Sequence, residues 1–170
     1  MANYHTLTVV QQTIPTGDMT TLERLLLSEI FRAEQDDDGL YFSADEGVSS
    51  IIDLNAADLR HAVDDPAAKA TTALSRIIDH HGDALLGEGD VEIDTSEGWW
   101  ETIFQDIVKR SETLTHISVV SSFTCDKMRP DGFGGMVLLI TASKIRCDCT
   151  TDILERFYEE ADKAGELRPS

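Results

Sequence analysis

The sequence predicts a single α+β domain over residues 1–165, a mainly antiparallel sheet covered by about five helices. Three observations carry that expectation. Apolar residues recur with the period of a strand in some short stretches and with the period of a helix in others. The two kinds of stretch mix without a regular strand-helix-strand rhythm, which argues against a parallel sheet. No Pro/Ser-rich linker and no internal repeat divides the 170 residues, a length suited to one core.

Element by element, residues 4–12 set Leu7 and Val9 against Thr6, Thr8 and Val10, the alternation of a partly buried strand. After Pro15-Thr16-Gly17, Thr20 and Glu23 have capping-box spacing, and Leu22, Leu25, Leu26 and Ile30 form one stripe, so a helix is expected to run to Ala33. Asp36-Asp37-Asp38-Gly39 is turn chemistry. Residues 40–42 and 48–54 are expected to pair as a hairpin around Asp45-Glu46-Gly47. Asn55 can cap a short helix through Val63. Asp65-Pro66 opens another, with Ala70, Leu74, Ile77, Ile78 and His81 inward and Gly82 at its stop.

Beyond the acidic residues 87–98, Ser96 is placed to cap a helix carrying Trp100, Ile103, Phe104, Ile107 and Val108 on one face, laid on a sheet. Residues 114–125 and 135–143 supply that sheet as an antiparallel hairpin around Arg129-Pro130-Asp131-Gly132. Thr150 or Thr151 caps a last helix with Ile153, Leu154, Phe157, Tyr158 and Ala161 inward. Gly165 ends it, and residues 166–170 are expected to fray.

Composition narrows the functional classes. The longest apolar run, residues 136–140, is far short of the ~20 residues of a membrane helix. Met1-Ala2-Asn3-Tyr4-His5 has neither a cationic start nor an apolar stretch, so the expectation is a cytoplasmic protein. Cys125, Cys147 and Cys149 are an odd set without framework spacing, which reads as free thiols. A net charge of −18 repels nucleic acid and anionic lipid, so neither is an expected direct partner.

That charge is segregated. Residues 18–101 hold 21 acidic against 5 basic residues, whereas residues 102–170 hold 11 against 9. Adaptation to high salt would spread the acids evenly. Residues 33–59 and 77–108 contain no Lys or Arg at all. Within the second window, Glu88, Asp90, Glu92 and Asp94 alternate with other residues, so in an extended conformation all four carboxylates point the same way at ~7 Å intervals. Such a row resembles the charge spacing of a nucleic-acid backbone. An acidic edge that merely keeps the chain soluble and hinders strand-to-strand aggregation accounts for the same residues.

Other clusters fit their chemistry less well. Glu34 to Asp45 has the Gly39 of a calcium loop at position six, but Glu34 stands at position one and the shorter Asp45 at twelve, so an acidic turn is expected. Asp79-His80-His81 has the signature of a metal-dependent phosphoesterase family but lacks its further acidic motifs, and a capping role at a helix end is expected. Cys147-Asp148-Cys149 lacks the paired Cys-x-x-Cys spacing of zinc sites. Gly132-Phe133-Gly134-Gly135 lacks the Lys-Ser/Thr of a phosphate loop. Lys127 and Arg129 form a small basic loop patch. Trp100 fits the helix stripe, whereas Trp99 lies off it, which leaves Trp99 as a candidate anchor for a partner.

The reading that follows is a non-enzymatic acidic interaction protein, a nucleic-acid-mimicking inhibitor in its sharpest form. It would meet a basic protein surface through Asp36, Asp37, Asp38, Asp45, Glu46, Glu88, Asp90, Glu92, Asp94 and Trp99, without catalytic residues, metal or cofactor. Two alternatives stand beside it. One is a small metal-dependent hydrolase using His80 and His81 or the Cys147 and Cys149 pair. The other is a structural subunit that forms a homodimer through Trp99 and a sheet edge.

Overall fold

The computed structural model describes residues 3–167. Along them run β1 (Tyr4–Val10), β2 (Ile14–Pro15), α1 (Thr21–Ile30), β3 (Arg32–Asp36), β4 (Gly39–Ala44), β5 (Ile51–Asn55), α2 (Ala56–Asp64), α3 (Thr72–His81), β6 (Asp90–Asp94), α4 (Trp99–Arg110), β7 (His116–Cys125), β8 (Gly134–Thr141), β9 (Ile145–Cys149) and α5 (Thr150–Lys163). Short 3-10 turns occupy Thr16–Asp18, Pro66–Ala70 and Gly82–Leu86.

Seven strands make one antiparallel sheet, in the order β3, β4, then β1 continued by β2, then β7, β8 and β9. β5 and β6 form a separate two-stranded antiparallel ribbon. Strand alternation sorts the main sheet into two faces. The inner face carries Val10, Phe42, Ile117, Val119, Leu138 and Ile140, all buried. Thr8 is carried inward as well, and its hydroxyl meets that of Ser121 at 2.8 Å, so neither polar group is stranded.

α4 lies on β7 and β8, and α1 touches α2, α3 and α4. Phe31, Phe42, Trp100 and Phe104 pack at the centre with ring centroids 5.6 to 6.1 Å apart, mostly edge to face. One hydrophobic cluster joins the sheet, these helices and the ribbon residues Ile52, Leu54 and Ile93. Two buried carboxylates tie the helices together. Arg110 Nη2 donates to the fully buried Glu23 at 2.5 Å. Asp106 accepts from the Thr72 backbone N–H at 2.7 Å and from Lys109 at 3.0 Å. Burial works to raise the Asp106 pKa, but these donors outweigh it and hold the carboxyl below its usual range.

The capping box is present as its spacing demands, with Thr20 Oγ1 accepting from the Glu23 N–H and Glu23 accepting from the Thr20 N–H. α1 stops at Ile30 rather than Ala33, because Phe31 turns extended and Arg32 and Ala33 pair with Ser43 and Phe42. Sheet pairing overrides the helix propensity of those two residues. The expected hairpin around Asp45-Glu46-Gly47 does not form. β4 pairs instead with β3, across the Asp37-Asp38 turn, and β5 pairs with β6.

Asn55 caps α2 as expected, but Asp65-Pro66 opens only the 3-10 turn, and Thr71 caps α3. Ile77 faces inward, whereas Ile78 and Ala70 are exposed. Gly82 keeps a right-handed helical conformation and runs on into a 3-10 turn. Ser96 caps nothing: α4 starts after Gly98, in the left-handed region at φ 65°, and the Ser96 N–H donates to Asp94.

α5 departs furthest from expectation. Cys149, not a threonine, is its N-cap. Gly165, at φ 70°, ends it as expected, with the Glu166 N–H donating back to Ala161. Its stripe does not face inward, for none of its residues is buried and none joins the core. The outer face of the main sheet is open as well, leaving Leu7, Val120, Val137 and Leu139 exposed. Residues 168–170 of the expected frayed tail lie outside the described residues. Among the described residues no helix is long and apolar enough to cross a membrane.

Candidate functional site

The ribbon is built by alternation. Ile52, Leu54 and Ile93 go into the core, which turns Ile51, Asp53 and Asn55 of β5 and Asp90, Glu92 and Asp94 of β6 outward. Its ends are pinned by the Ala56 N–H to Gly89 at 2.8 Å and the Thr95 N–H to Ser50 at 2.7 Å. Gly89, at φ 92°, makes the bend that leads into β6, a conformation disfavoured for any residue with a side chain.

Asp90, Glu92 and Asp94 therefore share one exposed face, as their spacing predicts. The register adds a fourth carboxylate, since Asp53 stands directly opposite Glu92. Directly paired residues lie ~5 Å apart and alternate residues ~7 Å apart, so four carboxylates occupy a patch two strands wide. None of the four takes part in an ion pair among the described residues. Asp53 was missed because β5 was assigned a different partner; its alternation with Ile52 and Leu54 already marked it as outward.

Nearby cations are engaged elsewhere. Arg60 donates to the carbonyls of Leu85 and Gly87, and Arg76 donates to the carbonyl of Glu97 while lying 5.4 Å from the Trp99 ring centre. Hydrogen bonds from Ser96 hold the Asp94 carboxyl below its usual range and so keep it ionised at neutral pH. Beside it, His81 is pushed below the usual imidazole range by burial and by His80, with Asp94 opposing.

The remaining predicted residues separate from the ribbon. Asp36, Asp37 and Asp38 crown the β3–β4 turn, where Asp36 accepts from Thr13 and Asp37 adopts φ 47°. Asp45 and Glu46 follow the other end of β4, ~20 Å along the strand. Arg32 bridges Glu34 at 2.8 Å and Asp45 at 3.6 Å, so the second cluster is partly neutralised. Glu88 is exposed just before the ribbon. Trp99 is no surface anchor. It is 4% exposed, covered by Arg76 and next to His81, because Trp99, Ile103 and Ile107 follow one another at i, i+4 and i+8 on the buried side of α4.

The alternative chemistries receive no converging geometry. His80, His81, Asp94, Glu97 and Trp99 line a shallow polar hollow of about 300 Å³. Among the described residues, no three His, Cys, Asp or Glu side chains group as metal ligands. All three cysteines are free thiols, and burial with neighbouring acids raises the pKa of Cys147, the opposite of an activated nucleophile. No family model, curated protein or solved structure matches the chain.

Proposed function

We propose that this chain is a non-enzymatic interaction protein that offers the outer carboxylates of the β5–β6 ribbon to a basic protein surface, in the place where that partner carries nucleic acid. The observation that supports the reading is the register of Asp53 against Glu92, flanked by Asp90 and Asp94, with no ion pair to any of the four among the described residues. Like charges directly opposite on a sheet cost stability, and a face kept for solubility alone has no need to place them so. Ile51 stands exposed at one end of the patch and can contribute apolar contact once the carboxylates have steered the encounter.

The test is affinity capture from the native cell with the intact chain and with an Asp53→Asn, Asp90→Asn, Glu92→Gln, Asp94→Asn variant. The captured protein is then mixed with labelled duplex DNA. The expected outcome is that the intact chain displaces the duplex, that the variant fails to, and that affinity falls at least tenfold between 50 and 300 mM salt. Capture that is indifferent to salt and to the four neutralisations removes the proposal.

A further inference from the structure

α5 and the outer face of the main sheet are two apolar surfaces that one chain builds and leaves uncovered. A 14-residue helix is marginal in water by itself and holds in proteins through packing of one face. Ile153, Leu154, Phe157, Tyr158 and Ala161 have the spacing of a packed face, yet Phe157 is 59% exposed and Tyr158 58%. The helix leaves β9 with no loop residue between them, since Cys149 both ends the strand and caps the helix. Only its first turn rests on the sheet, where Thr150 Oγ1 accepts from the Gly135 N–H at 3.1 Å. Arg156 then forks onto the two oxygens of Asp148 at 3.2 and 2.8 Å, which fixes the helix direction. Helix geometry puts Leu154 and Tyr158 on the side away from Arg156, so the tie that anchors the helix turns these two outward, with Phe157 on the flank, while Ile153, three residues before Arg156, lies on the tied side and is half-buried.

The same chain carries a seat of matching character. Val120, Val137 and Leu139 floor a groove of about 610 Å³ on the outer face, edged by Ser118, Arg146 and Asp148. The polar side of α5 is acidic, with Asp152, Glu155, Glu159, Glu160 and Asp162 against Arg156 and Lys163. Arg146 at the groove edge is in no ion pair among the described residues and is placed to meet such a helix. We infer that a second copy of this chain covers both surfaces: in a two-fold dimer, α5 of each copy lies in the β7–β8 groove of the other. Phe157 and Tyr158 each have more than half of their surface still to bury, out of roughly 150–250 Å² for an aromatic side chain. With Leu154 and the groove residues beneath them, two reciprocal contacts bury on the order of 1,000 Å², the lower bound for a specific interface.

Sedimentation equilibrium of the full chain from 1 to 200 µM tests this. The expected result is a dimer whose dissociation constant rises at least tenfold in Phe157→Glu and equally in Val137→Glu, while circular dichroism shows unchanged folding, both side chains being exposed. The ribbon variant of the capture experiment should remain dimeric, which separates this inference from the functional proposal. A chain that stays monomeric throughout overturns it, whether α5 is then covered by another protein or by nothing. Dimers that survive Phe157→Glu overturn it too, as do dimers broken by Phe157→Glu but not by Val137→Glu, which would mean helix-to-helix pairing.

Discussion

α4 and α5 are amphipathic helices of similar length that share a period, and the chain treats them oppositely. α4 buries Trp99, Ile103, Phe104, Asp106, Ile107 and Val108 between the sheet and α3, whereas no residue of α5 is fully buried. The difference lies in what surrounds each helix. Residues 95–98 and 111–115 on either side of α4 give the chain room to lay it across β7 and β8, whereas α5 issues directly from the end of an edge strand. Periodicity therefore states that a helix has a face to bury and leaves open which surface, or which molecule, will bury it.

Truncation should expose that contrast most strongly. Phe104→Ala removes a fully buried ring from the central aromatic cluster and is expected to cost about 4 kcal/mol in urea unfolding, independent of protein concentration. Phe157→Ala removes much less burial within the chain, since that side chain is 59% exposed, so most of its effect should appear as dimer stability is lost and should fade on dilution to monomer. Equal, concentration-independent costs at the two positions would erase the distinction between the helices.

Arg110 sharpens the comparison at the far end of α4. It neutralises Glu23, whose side chain is 0% exposed, while the corresponding cation of α5, Lys163, meets Glu159 on the open surface. Arg110→Ala leaves a buried carboxylate without its cation and should cost about 3 kcal/mol, part of it recovered when Glu23→Gln is added. Lys163→Ala should change stability by less than about 0.5 kcal/mol. Urea titrations of the three variants decide both points.

Local signals were legible from the residues alone. The α+β class, the Thr20 and Glu23 box, the Asn55 cap, the β7–β8 hairpin and the common face of Asp90, Glu92 and Asp94 each depend on neighbours within a few positions, or on strict alternation. Long-range pairing was not. Nothing local says that β5 skips β4 to pair with β6, because residues 40–42 and 48–54 suit a hairpin as well as they suit their actual partners. The same gap hid Asp53 from the candidate site, since its place opposite Glu92 follows only from the pairing of β5 with β6. Trp99 was misplaced for a narrower reason: the stripe was drawn through Trp100, although Trp99 lines up with Ile103 and Ile107 at i, i+4 and i+8 and the buried face is wide enough to hold both.

The first turn of α4 holds the subtlest contrast with α5. Glu101 is half buried there, its Oε2 atom has no hydrogen-bond partner among the described residues, and burial pushes its carboxyl above the usual range against the pull of its own backbone N–H and of Arg76. Asp152, in the first turn of α5, is exposed. A carboxyl whose folded pKa lies above its unfolded one favours the fold while protonated. That contribution is complete below the unfolded value and disappears as pH rises through the folded one. At neutral pH Glu101 is therefore a net cost, which the uncharged Glu101→Gln avoids. The variant should melt higher than the parent at pH 7, by less than about 1 kcal/mol in stability, and the gap should close by pH 4. Asp152→Asn, with no burial to relieve, should show no such gain at pH 7. A Glu101→Gln advantage that persists undiminished at pH 4 would mean that packing rather than charge is responsible, and the first turns of the two helices would then differ in shape alone.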